Sequence, residues 1–123
     1  MMTNDNYFNE LIITFPSIKL EILKEDPEMI HWRMEIFADY TKEQIKRDNK
    51  IELTKCFNFQ ESKIDLMTSD LLNALTVSYC ESLLLGGLGD RMKDLIHLMP
   101  PKLKLVYIDY EKWYNELASK RSQ

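Results

Sequence analysis

The segment from Leu71 to Leu85 leaves this chain few ways to fold. Leu71, Leu72, Ala74, Leu75, Val77, Tyr79, Cys80, Leu83, Leu84 and Leu85 leave little of a helical circumference polar. A helix that is apolar nearly all round belongs in an interior. Thr68 or Ser69 offers it an N-cap. Gly86-Gly87-Leu88-Gly89, which holds every glycine in the protein, offers it an end, since glycine after a helix commonly takes the left-handed capping conformation. A buried central helix over about 69–85 is therefore expected, and other helices must cover it.

The rest of the chain can supply them. Leu103, Val106, Tyr107, Tyr110, Trp113, Tyr114 and Leu117 recur at steps of three and four, and Pro100-Pro101 suits a first turn; this predicts a helix from Pro101 to about Ser119 with an aromatic core stripe. Asp26-Pro27-Glu28 reads as cap, first-position proline and first-turn acid of a helix reaching about Asp48. A third helix carries Leu53, Cys56, Phe57, Gln60, Ile64 and Met67, and Asp90 caps a short one ending near His97. Residues 1–25 are the least regular: Tyr7, Phe8, Leu11, Ile12 and Phe15 suggest a helix stopped by Pro16, whereas Ile18, Leu20 and Ile22 alternate like a strand. With only 3 Gly and 4 Pro in 123 residues there is little punctuation for a many-turned β fold. The expected class is all-α, one domain over 1–123, with five or six helices in an orthogonal bundle or a short HEAT-like solenoid array.

Charge and targeting signals narrow the function classes. Sixteen basic and 20 acidic side chains give a net charge of −4, which favours solubility and argues against direct nucleic-acid binding. The first residues lack a basic stretch followed by an apolar one, so no signal peptide is expected. The longest aliphatic run, Leu83-Leu84-Leu85, is far too short for a membrane span. Cys56 and Cys80 read as two buried thiols rather than a disulfide framework, which points to the cytoplasm.

No catalytic constellation emerges. His31 and His97 are the only histidines, and no Ser or Cys sits in a nucleophile elbow. The glycine cluster lacks the Gly-Lys-Ser/Thr ending and the preceding strand of a phosphate loop, and reads as a cap and turn. Glu28-x-x-His31 and Asp94-x-x-His97 have the spacing by which helical bundles hold a di-metal pair. At about 100° per residue, however, His31 falls outside its helix's apolar arc. No metal, cofactor or enzymatic activity is expected, and a metal-binding helical protein using these pairs is kept as an alternative. The methionines read as core filler.

The surface feature that carries most information lies on the second helix. Glu28, Glu35, Asp39 and Glu43 fall within an arc of roughly 80° at helical pitch, and Trp32 projects inside it. A carboxylate ridge with an indole in it can meet a basic partner, the charges steering the encounter and the ring anchoring it. The alternative is a solvated face, with Trp32 folded over the core edge and Glu43 paired to Lys46 or Arg47.

Residues 73–83, Asn-Ala-Leu-Thr-Val-Ser-Tyr-Cys-Glu-Ser-Leu, precede a Gly-rich turn, then Met99-Pro100-Pro101-Lys102-Leu103 and Tyr110-Glu111-Lys112-Trp113-Tyr114. This pattern, over roughly 68–117, resembles a group of small uncharacterised bacterial helical proteins. Similar small acidic helical proteins act as immunity partners of secreted or contact-delivered bacterial toxins. What the resemblance implies is a protein–protein interaction module, a cytoplasmic immunity protein that neutralises a cognate basic toxin domain such as a nuclease. It carries no catalytic residues over. The competing expectation is a structural or oligomeric module in which the aromatic C-terminal helix pairs between chains.

Overall fold

A computed structural model describes residues 1–121. The described residues form seven helices and no strand, one helix more than the upper expectation. α1 spans Asn4–Thr14, and its first turn is held by Thr3, whose Oγ1 accepts the Asn6 amide at 3.1 Å. Pro16–Ile18 forms a 3₁₀ turn that runs into α2, Lys19–Lys24. The extra helix comes from the segment whose alternation looked strand-like. Ile18 and Ile22 lie one helical turn apart and point inward, while Leu20 between them is exposed.

α3 spans Ile30–Lys46 and α4 spans Lys50–Ile64. They are joined by a tight corner in which Asp48 takes a positive φ and the Asn49 side chain caps α4 by accepting the Glu52 amide at 3.2 Å. α3 begins four residues later than the Asp26-Pro27 signal implies. Asp26 does cap, but it caps a turn: its Oδ1 accepts the Glu28 amide at 2.9 Å, and its carbonyl accepts the Met29 amide at the same distance. The buried Arg33 guanidinium then holds the Glu25 carbonyl at 2.8 and 3.3 Å and lies over the Phe8 ring. That grip turns the chain into α3 where sequence alone favours an earlier start.

α5, residues 69–84, is the central helix. Thr68 caps it, accepting the Leu71 amide at 3.2 Å. Its middle, Leu75–Cys80, is a π turn, which widens the helix locally. The wider turn lets Ser78, Tyr79 and Cys80, three consecutive residues, all face the interior. Leu71, Ala74, Leu75 and Leu83 are buried with them, and Leu72, Val77 and Leu85 form the helix's one open edge. Gly87 and Gly89 then take left-handed φ values of 75° and 60°, and α6, Arg91–Leu95, follows with a 3₁₀ turn, Ile96–Leu98. Asp90 stands before α6 but its side chain caps nothing there.

α7 spans Pro101–Arg121. Its first amides are captured from outside the helix. The Glu61 carboxylate of α4 accepts the Lys102 and Leu103 amides at 3.1 and 2.8 Å, and Asp65 pairs with the Lys102 ammonium. A carboxylate on helix N-terminal amides satisfies donors that have no intrahelical partner.

The buried side chains form one continuous cluster from Tyr7 to Tyr107, with Phe37 at its aromatic centre. Phe37 packs against Phe15, Phe59 and Tyr79 with ring centroids 5.0, 5.8 and 5.2 Å away. Phe37→Ala should cost about 3–5 kcal/mol in urea unfolding, because the three rings cannot collapse together into the space left. A loss under about 1 kcal/mol would mean that α3 is not the element that seals the core.

Candidate functional site

The buried stripe of α3, which includes Ile30, Met34, Phe37, Thr41 and Ile45, fixes the rotation of the helix. Trp32, Glu35, Asp39 and Glu43 are consequently all exposed on its other side. Trp32 keeps 56% of its surface open. It is not folded over the core edge. Glu28 is also exposed, but it lies in the turn before α3, so it neighbours the ridge without sharing its helical arc. Asp39 is tied to Lys42 at 3.1 Å and Glu43 to Arg47 at 2.9 Å. Among the described residues, Glu28 and Glu35 have no basic partner within ion-pair distance. Surface ion pairs of this kind contribute little to stability, and they leave the ridge with a net negative charge.

Beside the ridge runs a groove of about 570 Å³ that periodicity on one helix could not reveal. Asp39 and Glu43 form one wall, Glu21 of α2 another, and Glu52 of α4 closes it. Four carboxylates thus meet one guanidinium, that of Arg47, in a single opening. Tyr40 forms part of the lining, and its hydroxyl donates to Glu52 Oε1 at 2.7 Å. Burial, and then the neighbouring Glu52 charge, push the phenol up to about 12, so it stays a donor throughout the physiological range. The signal missed in the sequence was tertiary: Glu21 and Glu52 lie on separate helices, and only the α3–α4 corner brings them together.

The two acid-x-x-His pairs are not brought together. Glu28 precedes α3, so it does not share a helical face with His31, and the His31 Nδ1 atom instead hydrogen-bonds Ser78 Oγ on α5 at 2.7 Å. Asp94 and His97 are exposed around an opening of about 510 Å³ that also holds Lys50 and Arg91. Among the described residues no group of three or more His, Cys, Asp or Glu side chains converges to hold a metal ion. The glycine cluster serves as a turn: a methyl group on Gly86 would come within 2.4 Å of the Ser82 carbonyl oxygen and 2.7 Å of the Lys42 side chain.

Cys56 and Cys80 are buried and free, and burial raises both thiols to about 12. They are protonated and packed as small hydrophobes. A second opening, apolar and about 690 Å³ in volume, lies between α5 and α7. No helix among the described residues is long and apolar enough to cross a membrane.

The raised thiols and phenols link stability to pH. Cys56, Cys80, Tyr40, Tyr107 and Tyr110 are each held near 12, chiefly by burial, against ordinary values of 9.0 for the thiols and 10.0 for the phenols. Each is neutral in the fold and ionises first in the unfolded chain, so the stabilisation is complete below the unfolded value and is lost as pH rises. Denaturant midpoints should therefore hold steady to pH 9.0 and fall steadily towards 12. A flat profile across that window would contradict the burial of these groups.

A family model described as Domain of unknown function (DUF7674) matches residues 8–115. That match covers most of the chain, and the chain belongs to this family. No curated protein and no solved structure is similar enough to count as a match.

Proposed function

We propose that this member of the DUF7674 family is a protein-binding module, a cytoplasmic immunity protein that neutralises a cognate bacterial toxin through the acidic face of α3. The observation that supports the reading most is Trp32, an indole 56% exposed in the midst of Glu28, Glu35, Asp39 and Glu43. Aromatic side chains at the centre of a charged patch are the usual anchors of a protein interface. The neighbouring carboxylate groove extends the same charge around the helix and suits Lys or Arg side chains reaching in from the partner. A toxin nuclease is basic where it holds phosphate backbone, so an acidic inhibitor matches the surface it must occlude. Two protonated, buried thiols suit a reducing compartment.

The partner's role is to supply positive charge around an apolar socket. Long-range attraction accelerates encounter and weakens as salt rises, whereas the indole acts after contact by slowing dissociation. These contributions can be separated by mutation.

Capture from the native host's lysate, followed by mass spectrometry, should yield one stoichiometric basic protein eluted by salt. Against that protein, Glu35→Lys with Asp39→Lys should slow association at least about tenfold at low salt and flatten its salt dependence. Trp32→Ala should instead raise the dissociation rate, at about 2 kcal/mol in affinity. Unchanged kinetics in the charge-reversed protein would remove α3 as the contact face.

A further inference from the structure

The cleft between α5 and α7 has no role in that reading, and no residue of the acidic face lines it. It is built from the one open edge of the central helix, Leu72 and Val77, and from the half of α7 that runs past the core. Leu103, Tyr107 and Tyr110 are buried, and no described residue of α7 after Tyr110 is. The apolar stripe nevertheless continues through Trp113, Tyr114 and Leu117, and Trp113 is 54% exposed. Half of an amphipathic helix has thus been left uncovered beside an apolar cleft, which marks an interaction surface rather than a solvated one.

Two features of the stripe specify what covers it. The lining residues of α7 run Val106, Tyr110, Trp113, Tyr114, Leu117 and Arg121, with steps of 4, 3, 1, 3 and 4. The series reads the same in both directions. The ends, by contrast, carry opposite charge. Glu81 and Asp109 stand at the Val106 end, where Glu81 hydrogen-bonds Tyr110, and Lys120 and Arg121 stand in the last turn.

We propose that a second copy of this chain closes the cleft, α7 packing against α7 in an antiparallel two-fold arrangement. A two-fold interface requires each patch to be complementary to itself. Antiparallel pairing about the midpoint of Trp113 and Tyr114 sets Trp113 of one copy against Tyr114 of the other, and Tyr110 against Leu117. It also brings the Arg121 end of each copy to the Glu81–Asp109 end of the other. A parallel pairing would put like charges together and is disfavoured. The two copies contribute the aromatic pairs twice, as the symmetry demands.

Sedimentation velocity on the full chain, from about 1 µM to about 1 mM, tests this without any knowledge of a toxin. A reversible dimer should form, and Trp113→Glu should weaken it at least about tenfold while leaving the unfolding temperature unchanged, since the side chain lies outside the core. Asp109→Arg and Arg121→Asp should each weaken the dimer, and both changes in one chain should restore it. That rescue is what an antiparallel two-fold pair predicts. A chain monomeric throughout overturns the proposal, and so does a dimer indifferent to Trp113→Glu. A monomer whose cleft binds the apolar dye anilinonaphthalene sulfonate overturns it in favour of a foreign apolar occupant. The acidic-face reading survives any of these results, since its residues are elsewhere.

Discussion

A phenol sealed away from water needs a partner for its hydroxyl, and Tyr79 sits at the middle of the core with none of its surface open. Its hydroxyl lies 2.8 Å from Thr41 Oγ1, and Thr41 in turn donates to the Phe37 carbonyl at 2.9 Å. With the Thr41 proton committed to that carbonyl, Tyr79 is the donor to Thr41. Burial raises the Tyr79 phenol well above its ordinary range, so it keeps its proton. Apolar packing tolerates a helix sliding along its neighbour, whereas a buried hydroxyl with one acceptor does not. Tyr79 therefore fixes the register of α5 on α3. Tyr7 does the same for α1 on α4, donating to Gln60 Oε1 at 2.7 Å. Among the described residues every buried side-chain nitrogen and oxygen has a partner. The bundle's geometry is thus set by a few polar pairs inside an otherwise aromatic and aliphatic core.

Periodicity made the central and C-terminal helices legible, because Leu71–Leu83 and Leu103–Tyr110 are buried at the positions their spacing implies. Thr68 also caps as the sequence suggests. Three features were not legible, each for a tertiary reason. Arg33 reaches back to the Glu25 carbonyl and delays the start of α3. Ile18 and Ile22 obey two periods at once, and only packing decides between them. The aromatic stripe of α7 is continuous in sequence, yet its first half is core and its second half is surface. A stripe tells which side of a helix seeks cover, not how far along the helix the cover extends. For the acidic face, the exposure of the five residues was inferable from one helix. The groove beside it was not, because Glu21 and Glu52 arrive from other helices.

The two surfaces divide the chemistry of recognition between them. The α3 face carries long-range charge and a single exposed indole, features that act on encounter and then on residence. The α5–α7 cleft is apolar with charge only at its ends, so water exclusion dominates there and charge sets direction. Exposed aromatic surface in two separate places is more than a domain of this size needs for its own fold.

The π turn in α5 has a consequence for how this fold can vary. Ser78, Tyr79 and Cys80 face inward together only because the backbone there holds one residue more than an α-turn would. Loss of any single residue between Leu75 and Cys80 would restore a regular helix, shortening it by about 1.5 Å and rotating everything beyond by about 100°. Leu83 would swing out of the core, and Gly86 would leave the narrow space beneath Lys42. Length is therefore as constrained as composition in this stretch. Descendants of this chain can exchange its side chains more readily than they can gain or lose a residue there.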